Sequence, residues 1–352
     1  SLPGPQSVDE DTPLVFSSAN GNAITVSDTL PATNTRLQVF ISTNNNGTLT
    51  LSQTTGLSIL GGSNGGTFMT IQGTESDLNA ALEGMVFTPA IGYSGAVTLD
   101  MTTSLGADLQ GYYTFEGGNA IDQSVGISQN GSFVGNATTV IDPERGEVLS
   151  LDGVDDGVQI SGLFGSPTQV TLAAWVNLTG KDSQGAEVIS LGDNVTLRLD
   201  NSSGGVFGLT GHFRTGGVWN STSFDTSVLG TGWNHVAYSV DGAGSQSLYL
   251  NGQLVAQTSI AGAITYDVGT NTFIGKNAGG SSVFDFGGQI DEARIYTRAL
   301  SADEVAALAT DQTEVTGSVA ITVNAVNDAP VLDNSSTPLL GSMTEDAGAP
   351  SG

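Results

Sequence analysis

Gly232-Trp-Asn-His-Val-Ala-Tyr-Ser-Val-Asp241, running on to Ser247-Leu-Tyr-Leu-Asn-Gly-Gln-Leu-Val-Ala256, is the stretch that decides the fold. Val236, Tyr238 and Val240 alternate with His235, Ala237 and Ser239, the period of a strand with one face buried. Asp241-Gly-Ala-Gly244 interrupts the run, Leu248 and Leu250 restart it, and Asn251-Gly252 turns it again. Asn-Gly between two alternating runs signals a tight hairpin, because a type I′ turn needs positive φ at both central residues. The stretch therefore reads as a three-strand antiparallel meander.

Working outward, the rest of the chain has the same grain. Its 352 residues suffice for more than one core, and 49 glycines with little helical periodicity favour an all-β protein. There is no cysteine, hence no disulfide and no thiolate metal site. Thirty-five acidic residues against eight basic ones leave a net charge of −27, which argues against nucleic acid or an anionic membrane as partner. The acids are either solvated surface or oxygen ligands for calcium. No stretch reads as a signal peptide, transmembrane span or anchor.

Short strands are expected over residues 14–16, 23–26, 37–42, 47–51, 67–72, 85–88 and 96–101, with one helix over 76–83 capped by Ser76. Glu10-Asp-Thr-Pro-Leu14, Asn46-Gly-Thr-Leu-Thr-Leu51, Asp77-Leu-Asn-Ala-Ala-Leu82 and Phe87-Thr-Pro89 with Gly92-Tyr-Ser-Gly95 resemble the cadherin-like (Ig-like) repeats of large bacterial, RTX-type surface adhesins. In such repeats a last strand follows directly. Here it stands far downstream, at Ser318-Val-Ala-Ile-Thr-Val-Asn324, before Asn327-Asp-Ala-Pro-Val331. Adjacent strands lie about 5 Å apart, so a domain with neighbouring termini can be spliced into the hairpin between them.

The intervening segment matches another pattern. Tyr112-Tyr-Thr-Phe115, Val148-Leu-Ser-Leu-Asp-Gly153, Val170-Thr-Leu-Ala-Ala-Trp-Val176, the meander, Gly287-Gly-Gln-Ile-Asp-Glu-Ala-Arg-Ile-Tyr296 and a capped helix at Leu300-Ser-Ala-Asp-Glu304 resemble, in that order, a LamG-like jelly roll of the concanavalin A-like lectin superfamily. The expected architecture is an antiparallel β-sandwich inserted into a split cadherin-like β-sandwich. Residues 1–108 and 312–331 form the scaffold, 109–311 the insert, and 332–352 a linker or the start of another repeat. Ser342-Met-Thr-Glu-Asp-Ala-Gly348 echoes Ser7-Val-Asp-Glu-Asp-Thr-Pro13, which implies a tandem array cut from a longer chain, with neighbouring repeats as partners.

The resemblance to the lectin superfamily implies a structural calcium where Asp122 and Ser124 approach Asp291; the bland alternative is a turn aspartate plus an Asp291–Arg294 strand pair. The cadherin-like resemblance implies calcium at Glu10, Asp11, Asp28, Asn327 and Asp328. For ligand binding, the candidate loops carry Asp155, Asp156, Asp193, Asn194, His212, Trp219, Asn220 and Asn277: planar hydrogen-bonding groups, glycines that permit close approach, and an indole that can stack on a sugar ring. Against this, Trp219 can be core and Asp155-Asp156 a plain turn. Glycanases of the clan place two Glu around an Asp on one strand. Here Gln289-Ile-Asp291-Glu292-Ala-Arg294 has Gln and Arg at those places, and His235 reads as a satisfied structural histidine, so no active site is expected. These features predict an extracellular, monomeric, calcium-dependent module for a neutral glycan on a bacterial surface. The rival is a structural spacer or protein-docking module.

Overall fold

The computed structural model describes residues 1–27, 36–104, 106, 108–124, 128–201, 208–310 and 314–327. Alternating runs become strands wherever one face finds a core, and two cores form. The first lies between a six-stranded sheet, in spatial order 6–9, 314–324, 95–104, 36–42, 68–74 and 58–62, and a three-stranded sheet of 14–16, 85–89 and 47–50. Phe16, Leu49 and Phe87 from the small sheet meet Val39, Ile41, Ile71, Leu99, Val319 and Ile321 from the large one. Each such side chain, fully buried, stabilises by about 1.5–3 kcal/mol before entropy is charged.

Val319, Ile321 and Val323 belong to a strand more than 200 residues beyond its neighbour; Glu314 stands opposite Ser104 and Val323 opposite Gly95. The chain thus leaves the six-stranded sheet at Ser104 and re-enters it directly across the ladder. Leu109–Tyr113, just after the exit, pairs with Phe286–Tyr296, just before the return. Asp108 ties the crossing: its N–H donates to Gln72 Oε1 at 3.2 Å and its carbonyl accepts from Thr297 N–H at 3.0 Å.

The second core separates a seven-stranded sheet, ordered 131–134, 157–161, 271–274, 186–191, 195–201, 208–215 and 218–224, from an eight-stranded one. The eight-stranded sheet contains the meander: strands Trp233–Val240, Ser245–Leu250 and Gln253–Ser259, with Leu250 opposite Gln253 across the two-residue turn. Asn251 (φ 50°) and Gly252 (φ 78°) both take positive φ, as the hairpin signal requires. The helix Ala302–Leu308 carries the expected capping box between Ser301 and Glu304 and lays Val305 and Leu308 on the outer face of this sheet.

Local differences have local causes. The first helix runs Glu75–Leu82 and is capped by Thr74 rather than Ser76, because Thr74 Oγ1 reaches Asp77 N–H at 3.2 Å. Residues 23–26 form no strand, although Ile24 and Val26 are buried. Gln6–Asp9 forms an unexpected edge strand, parallel to the segment from Ile321. Among the described residues no helix is long and apolar enough to cross a membrane. Asp28, Asp328, residues 329–331 and the tail 332–352 lie outside the described residues.

Candidate functional site

The strands Ala186–Leu191, Val195–Asn201, Gly208–Thr215 and Val218–Phe224 send Leu197, Leu199, Leu209 and Phe213 into the core. Strand alternation therefore turns Thr196, Arg198, Thr210, His212 and Arg214 outward. The register lines Glu187, Arg198, Thr210 and Ser223 in one row, and Ser190, Thr196, His212 and Ser221 in the next. Trp219 stands opposite Arg214 at the outer strand, 38 % exposed.

Arg198 organises this face. Its Nε donates to Glu187 Oε2 at 2.5 Å and its Nη2 to Asp193 Oδ1 at 2.9 Å. Asn277 Nδ2 donates to the same Asp193 oxygen at 2.9 Å, while Asn277 Oδ1 accepts from Gly279 and Ser281 N–H. The guanidinium lies 4.1 Å from the Phe284 ring and 6.0 Å from Trp219. Arg214, paired with Asp267, lies 5.2 Å from Trp219, and His212 meets the indole edge-on at 6.0 Å. Glu187 is fully buried; desolvation pushes its carboxyl up to about 7 although Arg198 opposes the shift. Its Oε1 and the buried Thr196 Oγ1 have no partner among the described residues. Burial also drives His212 down to about 3, so the ring is neutral; Asn201 Nδ2 lies 3.2 Å from Nε2 and donates to it, which places the ring proton on Nδ1.

Asp193, His212, Trp219 and Asn277 thus lie around Arg198 on one face. Two others are not part of this face. Asn194 is fully buried and serves as a strut, its Oδ1 accepting from Asp267 and Val268 N–H. Asn220 pairs opposite Phe213, so alternation turns it away from the face that Trp219 occupies. Glu187, Arg198 and Phe284 were not anticipated. The signal for the first two was a charge inside an otherwise apolar alternation, as in Val195-Thr-Leu-Arg-Leu199.

A second cluster lies where Gly146–Asp152 turns into Gly157–Ser161. Asp152, Asp155 and Asp156 each bring a carboxylate oxygen within 4.8 Å of the others, a group able to hold a metal ion. Asp156 also closes the turn, accepting from Asp152 N–H at 3.0 Å and from Asn136 N–H. Lys276 Nζ sits beside it, 3.0 Å from the Asp155 carbonyl oxygen and 3.3 Å from Asp285 Oδ1.

The other expected calcium ligands have partners of their own. Asp122 accepts backbone N–H bonds from Tyr112, Ser124 and Gln129 at 2.9–3.0 Å, which is the turn-capping alternative. Asp291 Oδ2 takes Arg145 Nε at 2.7 Å rather than Arg294, and burial raises its carboxyl to about 6 against that pairing. Asp122 and Asp291 are thus each tied to protein donors. In the first sandwich Glu10 Oε1 accepts from Val326 N–H, Asp11 Oδ1 from Gly92 N–H at 3.0 Å, and Asn327 is exposed. His235 is fully buried, edge-on to Trp175 at 5.5 Å, but neither ring nitrogen has a partner among the described residues; it is structural through packing, not through hydrogen bonds. On the glycanase-like strand, Glu292 is held by Arg294 and Tyr112, and Asp291 by Arg145.

On this face the fixed polar groups around Arg198 are bordered by the half-exposed Trp219 indole. Residues 152–306, within the second sandwich, match the family model of the concanavalin A-like lectin/glucanases superfamily. Among solved structures, domain 4 of AbnA, a GH43 extracellular arabinanase from Geobacillus stearothermophilus, in complex with arabinotriose, is 21 % identical with a TM-score of 0.49, covering 57 % of this chain and 98 % of that one. The binding domain of botulinum neurotoxin serotype D/C is 13 % identical (TM-score 0.47; 58 % of this chain, 52 % of that one). The binding domain of Paraclostridial Mosquitocidal Protein 1 is 14 % identical (TM-score 0.46; 59 % and 53 %). The chain spans about half the length of these two toxin domains. No curated protein matches it.

Proposed function

We propose that residues 109–311 form a non-catalytic module that binds a neutral glycan on the outer face of the seven-stranded sheet, within an extracellular bacterial adhesin. The observation that carries this reading is the half-exposed Trp219 indole beside polar groups fixed by Arg198, among them the partly exposed Asp193 carboxylate. Hydroxyls donate to such acceptors, and a pyranose face is apolar enough to lie on an indole. Asp193 and Asn277 are pre-set at the rim by Arg198, so little entropy is lost on binding. Arg198 and Arg214 are already neutralised by acids, and a net charge of −27 disfavours polyanions.

The scaffold reading belongs to the same proposal: 1–108 and 312–331 act as one cadherin-like repeat, stiffened by calcium at Glu10, Asp11 and Asn327 together with Asp28 and Asp328. An array of neutral and acidic oligosaccharides, probed with the whole chain, tests the binding. Retention on neutral glycans, lost by at least about tenfold in Trp219→Ala with an unchanged melting temperature, is the expected result. A folded protein retained on no glycan would leave the spacer or docking reading in its place.

A further inference from the structure

The outer face of the eight-stranded sheet carries a polar patch that the glycan reading does not use. Leu172, Ala174 and Val176 point into the core, so Ala173 and Trp175 point away from it. Across one ladder they stand opposite Arg294 and Asp291, which share a face despite lying three positions apart because the strand bulges at Glu292 (φ 50°). Across the other ladder Trp175 stands opposite His235, with Trp233 two residues along on the same face. The helix Ala302–Leu308 packs on Ala173 and Ala237. Arg145 lies over the indoles, its guanidinium 4.4 Å from the Trp175 ring and 5.6 Å from that of Trp233.

Five buried polar atoms of this patch have no hydrogen-bond partner among the described residues: Nε1 of Trp175, Nε1 of Trp233, Nη1 of Arg294 and both ring nitrogens of His235. His235 has no exposed surface, and Arg294 is 4 % exposed. Indole and guanidinium nitrogens only donate, and a neutral imidazole offers one donor and one acceptor. The set therefore holds four donors for one acceptor. A water molecule does not balance that excess, since it brings two hydrogens with its lone pairs; an anion brings none. The carboxylates on the strand are engaged: Asp291 Oδ2 accepts from Arg145 Nε at 2.7 Å, and Glu292 accepts from Arg294 Nη2 and from the Tyr112 hydroxyl at 3.0 Å. Burial, then the positive charges of Arg294 and Arg145, push His235 down to about 3, so the ring is neutral and the field on it favours negative charge.

We propose that this patch binds a small monovalent anion of the halide class, seated against His235 and Arg294 Nη1, with the Trp175 and Trp233 indole N–H groups as further donors and Arg145 above it. Size follows from burial: all five atoms lie beneath the surface, which admits an ion of one or a few atoms and shuts out a sugar or a peptide. Such an ion ties the turn that carries Arg145 to the three strands that carry its donors. The inference is independent of the glycan reading, whose face lies on the other sheet.

Thermal melts of the whole chain, with sodium chloride exchanged for sodium methanesulfonate at constant ionic strength, test it. An ion that binds only the folded state should raise the melting temperature by a few degrees for each tenfold rise in chloride, and bromide should substitute for chloride. Trp175→Phe and Trp233→Phe each remove one N–H and keep a ring beneath Arg145. Each should need about tenfold more chloride for the same rise, the loss expected for one hydrogen bond to a charged group. Melts that are identical in the two salts, or a chloride dependence that is unchanged in both variants, would overturn the site. If the variants fail to fold, crystals of the wild type grown in sodium bromide keep the test decisive. An anomalous bromide peak beside His235 and Arg294 is expected, and its absence overturns the proposal. A peak without any chloride dependence of the wild-type melt marks an adventitious ion only and overturns it equally.

Discussion

Glu187 shows how one residue carries both cost and information. It is a carboxyl with no exposed surface, bonded on one oxygen to Arg198 and with no hydrogen-bond partner for the other among the described residues. Its folded pKa, about 7, lies above its value of 4.5 outside the fold. Between those values the native state holds a proton that the unfolded chain has released, so stability falls as pH rises through that window. Acidification from pH 7.5 to 5.5 should therefore raise the melting temperature by an increment that Glu187→Gln loses. Thermal melts of both proteins across that range check this, and parallel pH profiles would contradict it. The gain is complete below about pH 4.5, where both states are protonated and this group no longer changes stability with pH. His212 and His235, held neutral by burial, should show no imidazole titration by NMR between pH 5 and 8.

At the scale of elements, turns and caps were the most legible features and give the sharpest stability tests. Gly252 has φ 78°, and a Cβ there would come 3.0 Å from Ala306 Cα of the helix on the meander. Gly252→Ala should cost more than about 1 kcal/mol in denaturant unfolding, through strain as well as contact. Thr74→Ala removes the oxygen that accepts from Asp77 N–H and should cost about 1 kcal/mol, while Ser76→Ala should cost little. A larger effect at Ser76 would contradict the assigned cap. Gly211 has a different constraint, since a Cβ would meet the Tyr238 ring at 2.0 Å across the core, a contact between sheets that no local pattern announces.

For the whole molecule, the decisive geometry is the crossing at which Ser104 stands opposite Glu314. If the scaffold is one cooperative unit, replacing residues 109–311 with a short glycine-containing turn should leave a folded β protein in calcium. Circular dichroism and a single cooperative melt test it; a chain that stays unfolded would show that the two stretches need the intervening sandwich. The core supports the folded outcome, because Val319, Ile321 and Val323 are buried in one cluster with residues from Phe16 to Met101.

The sequence by itself determined the features that act over short range: strand period in the meander, the Asn251-Gly252 turn, the Ser301–Glu304 capping box and the all-β class. Each depends on residues only a few positions apart, so composition and spacing suffice. It also offered Trp219, Asp193, His212 and Asn277 as separate candidates for ligand contact. Only the tertiary structure decided which of them meet. Glu187 and Arg198 became partners through the register of two strands, and Lys276 reached Asp155 across 121 residues of chain. The same long-range packing sent Asp291 to Arg145, 146 residues away, instead of to Arg294 on its own strand. A carboxylate binds whichever donor the fold brings within about 3 Å, and in a sandwich built from non-local ladders that donor is set by sheet order and register rather than by neighbouring residues.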